Sequence, residues 1–148
     1  MKALWLDEEP NSLTYEQKLF TSRGWSVDLT SHVEDAKLYI MRETYDVVIC
    51  DLILPRDSFD AETFFVDTNA GIEFIEHMRD VKRNGQTPPS VPIIVCTARL
   101  AAAAALTKFA SPDAVLLLLM KPLLEDDLMR AASRVEEAAR KALPPAKT

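Results

Sequence analysis

Short apolar runs alternate along the chain with stretches whose apolar residues recur at helical spacing. Ala3–Leu6 is uninterrupted and predicts a buried strand ending in the acidic triplet Asp7-Glu8-Glu9. Pro10 suits the first turn of a helix, expected to run to about Arg23 and close on Gly24. Trp25, Val27 and Leu29 alternate with polar residues, the period of a half-buried strand near a sheet edge. Ser31 is placed to cap a helix through about Glu43, with Val33, Ala36 and Ile40 on one stripe. Val47–Cys50 predicts a strand ending at Asp51, and Ile72–Val81 a helix with Ile72, Ile75 and Met78 inward. Pro92–Cys96 predicts a strand ending at Thr97, Arg99–Phe109 a helix, and Ala114–Met120 a fifth strand ending at Lys121-Pro122. Leu124–Leu143 reads as a last amphipathic helix, with Leu128, Ala131, Val135 and Ala138 in step, stopped by Pro144-Pro145 at the head of the tail 144–148.

Five strands alternating with helices imply an α/β fold with a parallel sheet. Central strands that are apolar throughout imply helices on both faces of that sheet. There is no internal repeat, and helix propensity accounts for the Ala101–Ala105 run. Trp5 and Trp25 are expected in the core, and His32 and His77 on the surface away from the strand ends.

Composition narrows the possible functions. A chain of 148 residues with 48% apolar content fits one domain that folds without a disulfide or metal staple. A net charge of −6 disfavours nucleic-acid binding, which needs a basic face. The glycines are Gly24, Gly71 and Gly85, with no two close together, which excludes a P-loop and a GxGxxG fingerprint. Cys50 and Cys96 lie inside apolar runs without a CxxC partner and are expected to be buried, reduced thiols. Only four residues separate Met1-Lys2 from Asp7, so no signal peptide is expected, and the Ala114–Met120 run is too short to span a bilayer. A cytoplasmic setting is therefore expected.

The residues directly after the apolar runs form a chemical set. In doubly wound sheets, function collects beyond the carboxyl ends of the strands. Asp7 and Glu8 come after the first strand, Asp51 after the third, Thr97 after the fourth and Lys121 after the fifth. Clustered carboxylates favour an oxygen-seeking divalent cation, and Mg²⁺ takes a few carboxylates plus water and phosphate. A carboxylate beside Mg²⁺ is a competent nucleophile for a phosphoryl group. Lys121 would add positive charge, and the Thr97 hydroxyl a hydrogen bond to a phosphoryl oxygen.

With these residues placed, the chain resembles the receiver domains of bacterial two-component response regulators, of the single-domain chemotaxis type. The resemblance rests on Leu6-Asp7-Glu8-Glu9-Pro10, Asp46–Pro55, Ile93–Ala98 and Met120-Lys121-Pro122, and it spans nearly the whole chain. It implies a flavodoxin-like, doubly wound five-stranded parallel sheet of order 2-1-3-4-5 over residues 1–143. It further implies that Asp51 is the phospho-acceptor, that Asp7, Glu8, Asp51 and the Ile53 carbonyl hold Mg²⁺, and that Thr97 and Lys121 complete the catalytic set. The expected function is a phosphorylation-dependent switch that takes its phosphoryl group from a histidine kinase or phosphotransfer protein. Apart from gain and loss of its own phosphoryl group, the chain is not expected to be an enzyme. With no room for a DNA-binding domain after Leu143, output is expected through protein–protein contact. The alternative is a pseudo-receiver, an interaction module that does not use phosphate. An aspartyl-nucleophile phosphatase would want an acid two residues beyond Asp51, where Ile53 stands.

Three features depart from the family pattern. The glycine expected about four residues after Pro55 comes only at Gly71, so residues 56–70 form an insertion carrying Phe59, Phe64 and Phe65. A loop of that length is usually functional or disordered, and its aromatics point to a short packed helix or to a lid or docking element. The position of the family's switch aromatic holds Leu118, which either packs on the neighbouring helix or weakens coupling to the output face. Ala101–Ala105 with Leu106, Leu116 and Leu118 form a small-residue and apolar surface on the face where receivers commonly pair, either half-buried on the sheet or a homodimer contact. Ile53 and Arg99 flank the site, and an apolar Ile53 is expected to hinder the water that hydrolyses the phosphoryl group.

Overall fold

The four apolar runs and the alternating segment after Gly24 become the strands of one parallel sheet. The computed structural model describes residues 1–55, 66–67, 70–83, 91–98 and 115–142. Within it β1 (Lys2–Leu6), β2 (Ser26–Thr30), β3 (Val47–Asp51), β6 (Ile93–Thr97) and β7 (Val115–Met120) stand in the order β2-β1-β3-β6-β7. Counted over this sheet alone, that is the expected 2-1-3-4-5. A separate antiparallel ribbon joins β4 (Leu54–Pro55) to β5 (Val66–Asp67) at the two ends of the insertion. The helices are α1 (Thr14–Thr21), α2 (Val33–Arg42), α3 (Ala70–Arg83) and α4 (Glu125–Ala142). The expected helix Arg99–Phe109, residues 56–65 and the tail lie outside the described residues, and with them the readings made of Arg99, Ala101–Ala105 and Leu106.

The strand pleat explains why the central strands are apolar at every position. Successive side chains point to opposite faces. Ala3, Trp5, Val47, Ile49, Ile94 and Cys96 face α1 and α4, where they meet Leu13, Phe20, Leu128, Ala131 and Val135. Leu4, Leu6, Val48 and Cys50 face α2 and α3, where they meet Ala36 and Phe74. Leu52, Ile53, Ile93 and Val95 continue that second layer under Ile72 and Ile75. Cys50 and Cys96 thus lie on opposite faces as free buried thiols. Burial pushes the Cys96 thiol up to about 12 and the Cys50 thiol well above its ordinary range. No helix among the described residues is long and apolar enough to cross a membrane.

Three local expectations are corrected. The first helix is split, because Pro10 opens a 3-10 turn, Pro10–Leu13, before α1 begins. Its end is as expected, with Gly24 at φ +84°. Ser31 does not cap α2: it stands one residue too early, and its hydroxyl meets His32 Nδ1 at 2.9 Å. His32 and His77 are half-buried and engaged rather than free on the surface, and His32 directly follows Ser31 at the carboxyl end of β2.

One charged contact ties the last helix to the sheet edge. Glu136 on α4 accepts from the Arg23 guanidinium at 2.8 and 3.2 Å and from Trp25 Nε1 at 2.9 Å. Arg23, and after it Trp25, holds the Glu136 carboxyl below its ordinary range. A depressed folded-state pKa stabilises above the unfolded value of about 4.3 and is lost as pH falls through the folded one. Glu136→Gln is therefore expected to cost about 1 kcal/mol near neutral pH, since the pair is partly exposed. Urea melts followed by tryptophan fluorescence should show the gap between the two proteins closing as pH falls below the unfolded value of about 4.3.

Candidate functional site

The five strands are parallel and therefore finish on one edge of the sheet, where backbone bonds fix the residues just beyond them. The Asp7 N–H donates to the Thr30 carbonyl at 3.1 Å, which carries the β1–β2 ladder one residue further. Asp51 and Thr97 are the last residues of β3 and β6. The Lys121 N–H donates to the Thr97 carbonyl at 2.8 Å, which seats the lysine beside both.

The side chains then meet. Lys121 Nζ lies 2.8 Å from Asp7 Oδ2 and 2.8 Å from Asp51 Oδ2. The outer oxygens are held by backbone donors two residues on: the Glu9 N–H reaches Asp7 Oδ1 at 2.9 Å, and the Ile53 N–H reaches Asp51 Oδ1 at 3.0 Å. Asp7, Asp51 and Thr97 are buried, at 2%, 3% and 0% exposure. Glu8 is exposed beside them.

Burial works against charge on both partners, with different outcomes. For Lys121 it disfavours the ammonium, but the hydrogen bonds it donates to Asp51 and Asp7 outweigh that and hold the pKa above the ordinary lysine value. For Asp51 burial prevails over the bonds from Lys121 and Ile53, Asp7 adds repulsion, and the carboxyl is held above its ordinary range. Two buried carboxylates share one ammonium, so the cluster is short of positive charge.

The donor chemistry fits a hard divalent cation. Every donor is oxygen, and among the described residues each carboxylate oxygen of Asp7 and Asp51 accepts a hydrogen bond from Lys121 or a backbone N–H, within the roughly four acceptor sites a carboxylate has. Among the described residues no group of three or more His, Cys, Asp or Glu side chains is placed to hold a metal ion. Mg²⁺ does not ask for one, since it binds through one or two carboxylates and completes its shell with water and phosphate.

Of the expected site residues, the structure brings Asp7, Asp51 and Lys121 together, sets Thr97 against Lys121 through the backbone, and leaves Glu8 at the rim. The Ile53 side chain is buried with Leu52, Ile72, Ile75, Ile93 and Val95, and its backbone N–H donates to Asp51 Oδ1. Leu118 and Met120 are partly exposed on the edge strand β7. Two contributors escaped the sequence reading, the backbone donor of Glu9 and the close approach of Gly71 to the Asp51 carbonyl. The first had a signal, because an aspartate at a strand end commonly accepts from the N–H two residues on.

Comparison with known proteins bears on the family and the fold. The family model of the response regulator receiver domain matches residues 3–133. The transcriptional regulatory protein DltR of Streptococcus agalactiae is 34% identical over 58 residues, which are 39% of this chain and 26% of that protein. The matched region thus spans about a quarter of that curated relative's length. A sensor protein from Polaromonas sp. JS666 superposes with TM-score 0.70 at 20% identity, covering 93% of this chain and 96% of the other. The response regulator protein TrrA of Thermotoga maritima, solved in complex with Mg²⁺ and beryllium fluoride, gives 0.66 at 20% identity over 90% and 97%.

Proposed function

This chain belongs to the response regulator receiver family of two-component signalling, and from that premise we propose that Asp51 accepts a phosphoryl group and that the chain signals by the change. The observation that carries the proposal is the buried Asp7–Lys121–Asp51 cluster, in which an acceptor carboxylate lies at hydrogen-bond distance from a fixed cation.

The donor is a phosphohistidine on a histidine kinase or phosphotransfer protein. An Asp51 carboxylate oxygen forms the new O–P bond as the P–N bond breaks, and the imidazole nitrogen keeps the electron pair. Charge spreads over the equatorial phosphoryl oxygens in that step, so catalysis is mainly positioning and neutralisation. The Ile53 N–H orients the carboxylate, Lys121 supplies a fixed positive charge, and Thr97 offers a hydroxyl to a phosphoryl oxygen. Asp7, Asp51 and Glu8 with the Ile53 carbonyl would hold Mg²⁺, which supplies the charge neutralisation the cluster lacks. TrrA was solved with Mg²⁺ and beryllium fluoride, a phosphoryl mimic, and that supports the same reading here. Output passes to a target protein by contact, and the buried, reduced thiols suit a cytoplasmic setting.

Acetyl phosphate with Mg²⁺ tests the proposal: intact mass should show one phosphoryl group, absent when Asp51 is replaced by Asn. No adduct on the unaltered protein, with beryllium fluoride also failing to bind, would point to an interaction module that does not use phosphate. The role of Ile53 has its own test. Burying an amide in its apolar pocket should cost Ile53→Asn about 1–3 kcal/mol. If the apolar side chain restrains hydrolytic water, the folded variant loses its phosphoryl group faster. An unchanged dephosphorylation rate leaves Ile53 a packing role only.

A further inference from the structure

We propose that Gly71 is a positioning residue for Asp51, its bare Cα allowing the first turn of α3 to seat directly on the Asp51 carbonyl and so fix the carboxylate beside Lys121. The inference rests on the reading of Asp51 as phosphoryl acceptor and adds a residue to it.

The geometry is specific. A Cβ at Gly71 would clash with the Asp51 carbonyl oxygen, and it would lie 2.5 Å from Leu52 Cα and 3.0 Å from the Asp51 carbonyl carbon. These are backbone atoms, which cannot swing aside as a side-chain end does. The Gly71 backbone is not in the left-handed region, where Gly24 is found, so the requirement is space and not conformation. The contact is held from both sides. The Gly71 N–H donates to the Leu52 carbonyl at 3.1 Å, and the Cys50 thiol donates to the Asp51 carbonyl at 3.2 Å.

The same peptide carries the acceptor. Moving the Asp51–Leu52 unit moves the Asp51 Cα at one end and the Ile53 N–H, which holds Asp51 Oδ1 at 3.0 Å, at the other. A methyl at Gly71 would displace the carboxylate relative to Lys121 and Asp7, and a misplacement of about 1 Å is enough to cost about a hundredfold in rate. The contact also explains where the glycine stands. The β4–β5 ribbon pairs Leu54 with Asp67 and Pro55 with Val66, so the chain returns along the acceptor loop before α3 begins. The insertion displaces the glycine in sequence, and the ribbon brings it back to Asp51 in space.

The test compares Gly71→Ala with Val135→Ala, a core truncation on α4 remote from the site. Labelling by acetyl phosphate is measured at saturating donor, per folded molecule, and the Ile53 amide proton resonance is read without any donor. Gly71→Ala should fold, label about ten- to a hundredfold more slowly, and shift the Ile53 resonance. Val135→Ala should lose stability and keep both the rate and the resonance. Wild-type labelling and an unmoved Ile53 resonance in Gly71→Ala would overturn the proposal. So would a Gly71→Ala protein that does not fold even in trimethylamine oxide, since the glycine would then serve the fold alone. If the unaltered protein takes no label, the acceptor reading fails, and the Ile53 resonance still decides whether Gly71 positions Asp51.

Discussion

Asp51→Asn is expected to take no phosphoryl group from acetyl phosphate or from any phosphohistidine donor, and to be more stable than the unaltered protein near neutral pH. The first result comes from chemistry. The amide keeps an oxygen able to accept the Ile53 N–H but has no anionic oxygen to attack phosphorus. The second comes from burial. The Asp51 carboxyl is held above its ordinary range because burial outweighs its bonds to Lys121 and Ile53. A carboxyl with a raised folded-state pKa binds its proton more tightly folded than unfolded, so folding loses stability as pH rises from the unfolded value of about 3.9 through the folded one. Asparagine carries no such loss, and Lys121 keeps its bond to Asp7. Urea melts should show the stability gain near neutral pH shrinking as pH falls toward about 4. A variant that still labels would place the acceptor elsewhere, with Asp7 the first carboxylate to examine. A variant less stable at every pH would mean that the carboxylate's pairing with Lys121 is worth more than its burial costs.

The sheet was legible because period-two burial on two faces leaves an unbroken apolar run, and Ala3–Leu6, Val47–Cys50 and Pro92–Cys96 are such runs. The site was legible for a related reason: parallel strands deliver their last residues to one edge, so Asp7, Asp51, Thr97 and Lys121 had to be neighbours once the strands were placed. Which acid faces inward was a different matter. Asp7 and Glu8 are adjacent and chemically alike, and the turn that buries one and exposes the other is set by the Glu9 N–H closing on Asp7 Oδ1. Ile53 is expected both to lend its carbonyl and to flank the site with an apolar side chain, and the structure turns the side chains of Leu52 and Ile53 into the apolar layer under α3. The role of Gly71 depends on a helix meeting a strand end across an insertion, through the short β4–β5 ribbon. No local pattern encodes that meeting. Ser31 shows the limit at the smallest scale, where a displacement of one residue turns a cap into a partner for His32.

Lys121→Met should be among the most destabilising single substitutions in the chain. The methionine fills similar space but removes the ammonium that Asp7 and Asp51 share at 2.8 Å each. Both carboxylates are nearly inaccessible, so neither regains in water what it loses. Breaking a buried ion pair from one side costs about 3–5 kcal/mol, and the 23% exposure of the Lys121 side chain puts the expected loss near the lower end. The pH dependence identifies the cause. Without the ammonium, the Asp51 carboxyl, which burial already holds above its ordinary range, loses the partner that pulls it down. A raised acid pKa stabilises folding as pH falls, so the deficit relative to the unaltered protein should narrow below neutral pH. Adding Asp7→Asn to Lys121→Met should recover part of the loss, since one of the two stranded charges is then gone. Mg²⁺ should recover part of it too, by binding the folded carboxylates and not the unfolded chain. A deficit constant with pH and unmoved by either change would mean that Lys121 stabilises through the packing of its stem, and that the carboxylates were never dependent on its charge.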